Sequence, residues 1–338
     1  MKTAFLLRRP FLLNTTFLVL ALLLSIALGA VSIPPQDLFN TLLGGRTLDA
    51  TFATIVYDIR LPHALLIALT GAALAGSGAA YQGLFRNPLA DPYLIGVASG
   101  AGLGAVFVMA QQWPRSLLGF YAIPAAAFIG AIAAVATVYT IARLGKTAPV
   151  TTLILAGVAV SSFATALSSF IMLYSNNELR RALAWLLGGA ALSGWPPVIA
   201  VLPYTIISLG ILLASGHQLN VLQLGEEQAQ QLGLPVERIK VLLIAAASLA
   251  AAAAVAFSGM IGFIGLIVPH ALRLIWGGDH RRLLPLSMLG GAAALLFADL
   301  LARTIFAPEV LPIGILTALA GVPFFLWLLR RAKAQLWW

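Results

Sequence analysis

With 338 residues, of which 61% are hydrophobic and 9% charged, and a mean hydropathy of +0.98, this chain has too few charges to surround a water-soluble core. Composition therefore predicts a polytopic membrane protein. Twenty basic residues against eleven acidic ones leave a net charge of +9, and the absence of cysteine excludes disulfides and thiolate metal sites without deciding the redox compartment.

From the N-terminus, Lys2, Arg8 and Arg9 precede an apolar run over 11–31. That run is longer than the core of a usual signal peptide and no small-residue cleavage site follows, so it is expected to be the first span. Its successors are expected at 61–84, 93–110, 120–142, 151–174, 197–214, 240–257, 261–276, 284–303 and 311–330. Each approaches the ~20 residues needed to cross hydrocarbon, except the eighth, which is short and contains Pro269. The expected architecture is an all-α membrane protein, one transmembrane domain over 1–338, with both ends on the same side.

The basic residues choose that side. Lys2, Arg8, Arg9, Arg86, Arg143, Lys146, Arg238, Lys240, Arg273, Arg281, Arg282, Arg330, Arg331 and Lys333 fall on the face that holds the termini. Arg46, Arg60, Arg115, Arg180, Arg181 and Arg303 fall on the other, which has no lysine. Fourteen against six places both termini in the cytoplasm, so the positive charge is a topology signal rather than a nucleic-acid footprint. On the outer face the segment 32–60 is expected to be polar and non-spanning, with a short surface helix over 34–44. A second outer stretch, 176–195, reads either as a half-helix that dips back toward the membrane or as a simple loop.

Small residues crowd the helices, among them Gly71, Gly76, Gly78 and Gly83, four glycines over 96–104, and Gly259, Gly262 and Gly265. Close helix packing is their expected role. A faint match between 60–68 and 238–245, on spans of opposite direction, hints at an inverted repeat. Gly145-Lys146-Thr147 lacks the first glycine of a phosphate loop, and the four histidines show no metal-ligand spacing. Asp299 is the one acid well inside a span, and an i,i+4 pair with Arg303 would neutralise it, making it a poor proton relay.

The most polar interval is 225–235. Glu226 and Glu227 suit the positive end of a short helix, and Gly233 followed by Pro235 stops it. Leu222, Gly225, Ala229 and Leu232 recur at helical spacing, opposite a face of glutamines and glutamates. A helix of two turns does not hold together alone in water. It is either a connector lying on the chain's own helices or a rigid post offered to a water-soluble partner.

Arg86-Asn-Pro-Leu-Ala-Asp-Pro92, Leu94-Ile-Gly96, Gly100-Ala-Gly-Leu-Gly104, Leu155-Ala-Gly-Val158 and the 225–235 interval occur in that order. Ser258-Gly-Met-Ile-Gly-Phe-Ile-Gly-Leu-Ile-Val-Pro-His270, Asp279-His-Arg-Arg-Leu-Leu-Pro285, Ala298-Asp-Leu-Leu-Ala-Arg303 and Leu311-Pro-Ile-Gly314 follow. Together they resemble the FecCD-type permease subunits of type II ATP-binding-cassette importers, which move iron–siderophores, cobalamin and haem. The resemblance runs from Arg60 to the C-terminus.

What the resemblance implies is specific. It predicts ten helices, a homodimer with the pathway at its interface, two cytosolic ATPase subunits that hold ATP and Mg, and an extracytoplasmic substrate-binding protein. The chain itself would be a transport subunit of the cell (inner) membrane, with no enzymatic activity, cofactor or metal of its own. Within a cytosolic segment 215–240, Gly225, Glu226, Glu227, Ala229, Leu232 and Gly233 would form the helix that couples to the ATPase. Asn87 and Leu89 would form the cytoplasmic gate, with a second constriction at Val150 and Thr151. Arg60 and Arg303 match positions that dock the binding protein. His63 stands where an arginine is common, so that contact would depend on pH, unless the histidine is satisfied at the start of its helix. The alternative function is a gradient-driven secondary transporter with an inverted-repeat core; an intramembrane enzyme lacks a catalytic dyad.

Overall fold

The computed structural model describes residues 9–29, 50–111, 121–145, 147–175, 179–189, 194–307 and 309–335. The expected surface helix at 34–44 lies outside them. Helices dominate because a backbone in hydrocarbon must satisfy its own hydrogen bonds. Among the described residues, seven helices are long and apolar enough to cross a membrane, and three shorter apolar ones join them. We number these ten α1 (Pro10–Ala27), α2 (Leu61–Leu84), α3 (Val97–Ala110), α4 (Ala122–Ala142), α5 (Val150–Tyr174), α6 (Trp195–Ala214), α7 (Val236–Ser258), α8 (Ile264–Trp276), α9 (His280–Thr304) and α10 (Ile313–Gln335). They match the ten expected spans in order.

Three expectations need correction. The polar outer segment does not persist to residue 60: helix begins at Ala50–Thr54 and runs through a π-helical turn, Ile55–Arg60, directly into α2. The apolar helix over Phe52–Leu84 has 33 residues and is therefore about 50 Å long, well beyond the ~30 Å hydrocarbon core. The third span is interrupted, with a 3-10 turn at Pro92–Ile95, a break at Gly96 and only 14 residues in α3. Lastly, the 259–265 glycines do not form one packing ladder. Residues 259–263 are non-helical, and only Gly265 lies in α8, where its backbone meets Gly78 of α2.

The two interruptions meet. Tyr93 Oη donates to the Ile261 carbonyl at 2.9 Å and accepts from the Ile261 amide at 3.3 Å, satisfying a backbone that a helix would otherwise satisfy itself. The second outer stretch contains a helix, Leu179–Leu186, whose Ala182 and Trp185 are buried. Its terminal glycines are tied inward, with Gly189 N–H on the Ser258 carbonyl at 2.7 Å and Ile313 N–H on the Gly188 carbonyl at 3.1 Å. Within the described residues 179–189 the stretch is thus helical and packed inward rather than a simple loop.

α2 is the centre of the bundle. Of its most apolar window 78% is buried, against 22% for α5, and α6, α7, α8 and α9 all pack on it. Close approach is what its small residues permit: a Cβ at Gly71 would stand 2.3 Å from the Gly291 carbonyl oxygen, and one at Gly78 would overlap that of Gly265. Hydroxyl bonds add glue where small side chains bring backbones together. Ser77 Oγ donates to Ala247 O at 2.9 Å, Tyr81 Oη pairs with Ser248 Oγ at 2.7 Å, and Thr70 Oγ1 with Ser258 Oγ at 2.7 Å.

Candidate functional site

The post is a helix, Glu226–Gln231, entered through another short one, Gly216–Leu222. Gly225, at φ +113°, starts it, and Gly233, at φ +85°, ends it in the left-handed conformation that side chains resist. The Leu234 amide bonds the Ala229 carbonyl at 3.0 Å and the Gly233 amide that of Gln230 at 2.9 Å, which is a Schellman stop. Leu222 and Ala229 are buried, as the spacing predicts. Leu232 is not: it is 66% exposed, and Leu224 is 55% exposed. The expected four-residue apolar face is therefore split, because the chain turns away at Gly233 before any helix can cover Leu232. Glu227 points outward with Gln228, Gln230 and Gln231. Glu226 instead reaches back to Lys240 Nζ, with both carboxylate oxygens at 3.1 Å.

That end of the bundle also holds the expected gate residues. Gln223 Nε2 donates to the Gly83 carbonyl at 2.6 Å, bolting the approach to the post onto the end of α2. Just beyond, Asn87 is exposed and its Oδ1 accepts the Leu89 amide at 2.9 Å, holding a tight turn. Asp91 caps the next turn by accepting the Tyr93 amide at 2.8 Å, and loss of water around its carboxyl pushes it up to about 6. Val150 is the first residue of α5 and packs against the core, whereas Thr151 is exposed. The turn before them is anchored by Ala148 N–H on Glu237 Oε2 at 3.3 Å. Asn87, Leu89, Val150 and Thr151 thus share one end of the molecule with the post, and no hydrogen bond among the described residues joins the first pair to the second.

At the opposite end, the expected docking residues turn inward. Arg60 is only 8% exposed, and its Nη1 donates to the Ile26 and Ala27 carbonyls at 2.8 and 3.0 Å, closing the C-terminus of α1. This is a correction of place: an accessible rim was expected. Arg303 Nε bonds Asp299 Oδ2 at 2.8 Å, the expected pair, while its Nη2 bonds Ser25 Oγ at 2.9 Å. His63 Nε2 lies 2.9 Å from the other Asp299 oxygen. All three expected docking residues therefore take part in fastening α1, α2 and α9 together, and Asp299 is held by two partners.

A family model described as the FecCD transport family matches residues 17–331. The chain belongs to the FecCD transport family. This FecCD member is 49% identical over 285 residues to the cobalamin import system permease protein BtuC of Halobacterium salinarum, covering 84% of this chain and 76% of that one. It is 43% identical over 325 residues to the hemin transport system permease protein HmuU of Yersinia pestis, covering 94% and 95%. Among solved structures, a metal-chelate type ABC transporter in an inward-facing conformation superposes with a TM-score of 0.81 at 31% identity, over 96% of this chain and 99% of that one. The fold is that of a type II ABC importer permease, and the protein is a multi-pass membrane protein.

Two residues of this FecCD chain escaped the sequence reading as site residues. Lys240 was legible only as a topology-setting base, yet it is 1% exposed and bound to two carboxylates. Glu237 drew no notice in the sequence, although it stands in the first turn of α7. Their i,i+3 spacing was a usable signal for the pair, but nothing in spacing links either to Ala148.

Proposed function

We propose that this permease passes a metal chelate of the siderophore, cobalamin or haem class inward, driven by a separate ATPase seated on the post. The observation that carries the reading is a short helix fastened from beneath by Ala229 and the Glu226–Lys240 pair, with Leu224, Glu227 and Leu232 left facing solvent. Such a patch suits a protein cleft better than water. ATP and Mg would be held by two copies of that ATPase, with no cofactor in this chain.

The distribution of basic residues supports cytoplasmic termini in the cell membrane, with the post on the cytoplasmic side. α5 presents Leu155, Phe163, Leu173 and Tyr174 outward and also carries the exposed Thr151, which suits a pathway between two copies of the chain. An extracytoplasmic binding protein would deliver the chelate. Arg60 is 8% exposed, whereas His63 and Arg303 keep 20% and 16% of their side chains exposed while holding Asp299, so these two are the remaining candidates for its contact.

The test is uptake by a deletion strain carrying this gene with its ATPase, offered cyanocobalamin, haemin or ferrichrome. ATP-dependent accumulation of one of the three is expected. Uptake that persists when the ATPase is removed would move the assignment to a secondary transporter.

A further inference from the structure

We infer that Glu237 and Lys240 are positioning residues that join the post to the start of α5, so that movement of the post reaches Val150 and Thr151 through the permease's own side chains. The inference rests on the coupling and gating reading above and assigns the residues that carry it.

Lys240 lies one turn into α7 and is 1% exposed. Its Nζ sits 3.1 Å from both oxygens of Glu226 on the post and 3.0 Å from Glu237 Oε1. The second oxygen of Glu237 accepts the Ala148 amide at 3.3 Å. Pro149 follows as the residue capping α5, and Val150 is its first residue. One carboxylate therefore has one oxygen on the cation that holds the post and the other on backbone two residues before the gate.

The chemistry makes this chain of contacts stiff. An ammonium removed from water depends on its carboxylates, because separating them leaves an uncompensated buried charge. The post cannot swing away from Lys240 without breaking a charge-assisted bond, so α7 and Glu237 should follow it. At the far end, Leu144 and Thr147 exchange backbone bonds at 2.8 and 3.2 Å, and Ala148 is buried at 1%. The turn thus pulls on α5 as a unit. A simpler role, an acid and a base stabilising the start of α7, accounts for the Glu237–Lys240 contact. It does not account for Glu226 reaching across 14 residues, or for Glu237 reaching across 89 to another helix.

The chain has no cysteine, so Thr151→Cys supplies the permease's single thiol, and its labelling is read on the permease chain after separation from the ATPase. The permease, purified in nanodiscs with the ATPase that accompanies it, is exposed to a membrane-impermeant maleimide without nucleotide and after trapping with ATP and vanadate. With Glu237 and Lys240 intact, the labelling rate should change at least fivefold between the two states. Adding Glu237→Ala should reduce that change to less than twofold while the amount of trapped nucleotide stays within twofold. Adding Lys240→Arg, which keeps a cation for both carboxylates, should preserve the change. An unaltered change with Glu237→Ala would overturn the linkage alone and leave the coupling reading standing. Loss of trapping with Glu237→Ala would assign the residue to structure and likewise overturn it. A rate that ignores nucleotide with both residues intact would overturn the gate reading, and the linkage with it.

Discussion

Arg60 closes two carbonyls that α1 leaves open at its C-terminal end. Charge-assisted bonds of this kind, lost from a buried site, cost about 1–3 kcal/mol. Arg60→Ala is therefore expected to lower the unfolding temperature of the detergent-solubilised permease, and Arg60→Glu to lower it further by facing a carboxylate toward carbonyl oxygens. Because the contact is buried, raising salt should leave the loss nearly unchanged, whereas a docking contact on an exposed rim would be screened. Unfolding midpoints at low and high ionic strength check this, and a salt-sensitive loss would return Arg60 to the docking surface. His63 teaches the same lesson from the other side. The position that suggested a weakened docking arginine is filled by a side chain that reaches Asp299, 236 residues away.

At the scale of the element, the post divides into residues that hold it and residues that are offered. Leu232 belongs to the second group, being 66% exposed, so Leu232→Asp should leave the permease's own stability within about 0.5 kcal/mol. Its affinity for the ATPase should fall about tenfold or more, a change of about 1.4 kcal/mol in binding. Gly233→Ala acts differently: a methyl group at φ +85° strains the stop by about 1–2 kcal/mol and should loosen the post itself. Binding of the ATPase to each variant, set beside its thermal stability, separates the two. Equal affinity for wild type and Leu232→Asp would remove Leu232 from the coupling surface. The helical stop was legible in sequence, since glycine followed shortly by proline is a local signal. The exposure of Leu232 was not, because helical spacing places it on the side of Ala229 and only the direction of the chain after Gly233 takes it out of cover.

For the whole molecule, the energy source is the sharpest expectation. Asp299, the acid that a proton relay through the bundle would have used, is engaged by both His63 and Arg303. Permease alone in proteoliposomes should therefore accumulate neither cyanocobalamin nor haemin under an imposed proton or sodium gradient. Radiolabel uptake measured without ATPase decides the point, and accumulation under either gradient would sink the ATP-driven reading.

The sequence alone determined the ten helices, their order and the family, because a bilayer imposes apolar length on each span and the motifs lie in short contiguous stretches. It also determined the existence and the stop of the post, which depend on neighbours a few residues apart. Tertiary structure decided the rest. The breaks at Gly96 and 259–263 are tolerated because Tyr93 and Ile261 satisfy each other across 168 residues. The early start of the helix leading into α2 goes with an Arg60 guanidinium that finds the end of α1. Whether Lys240 is a surface base or a buried junction depends on Glu226 and Glu237 converging on it. Composition records which charges a chain carries, whereas their partners are chosen by which helices lie side by side, and in this bundle α2 and its neighbours make that choice.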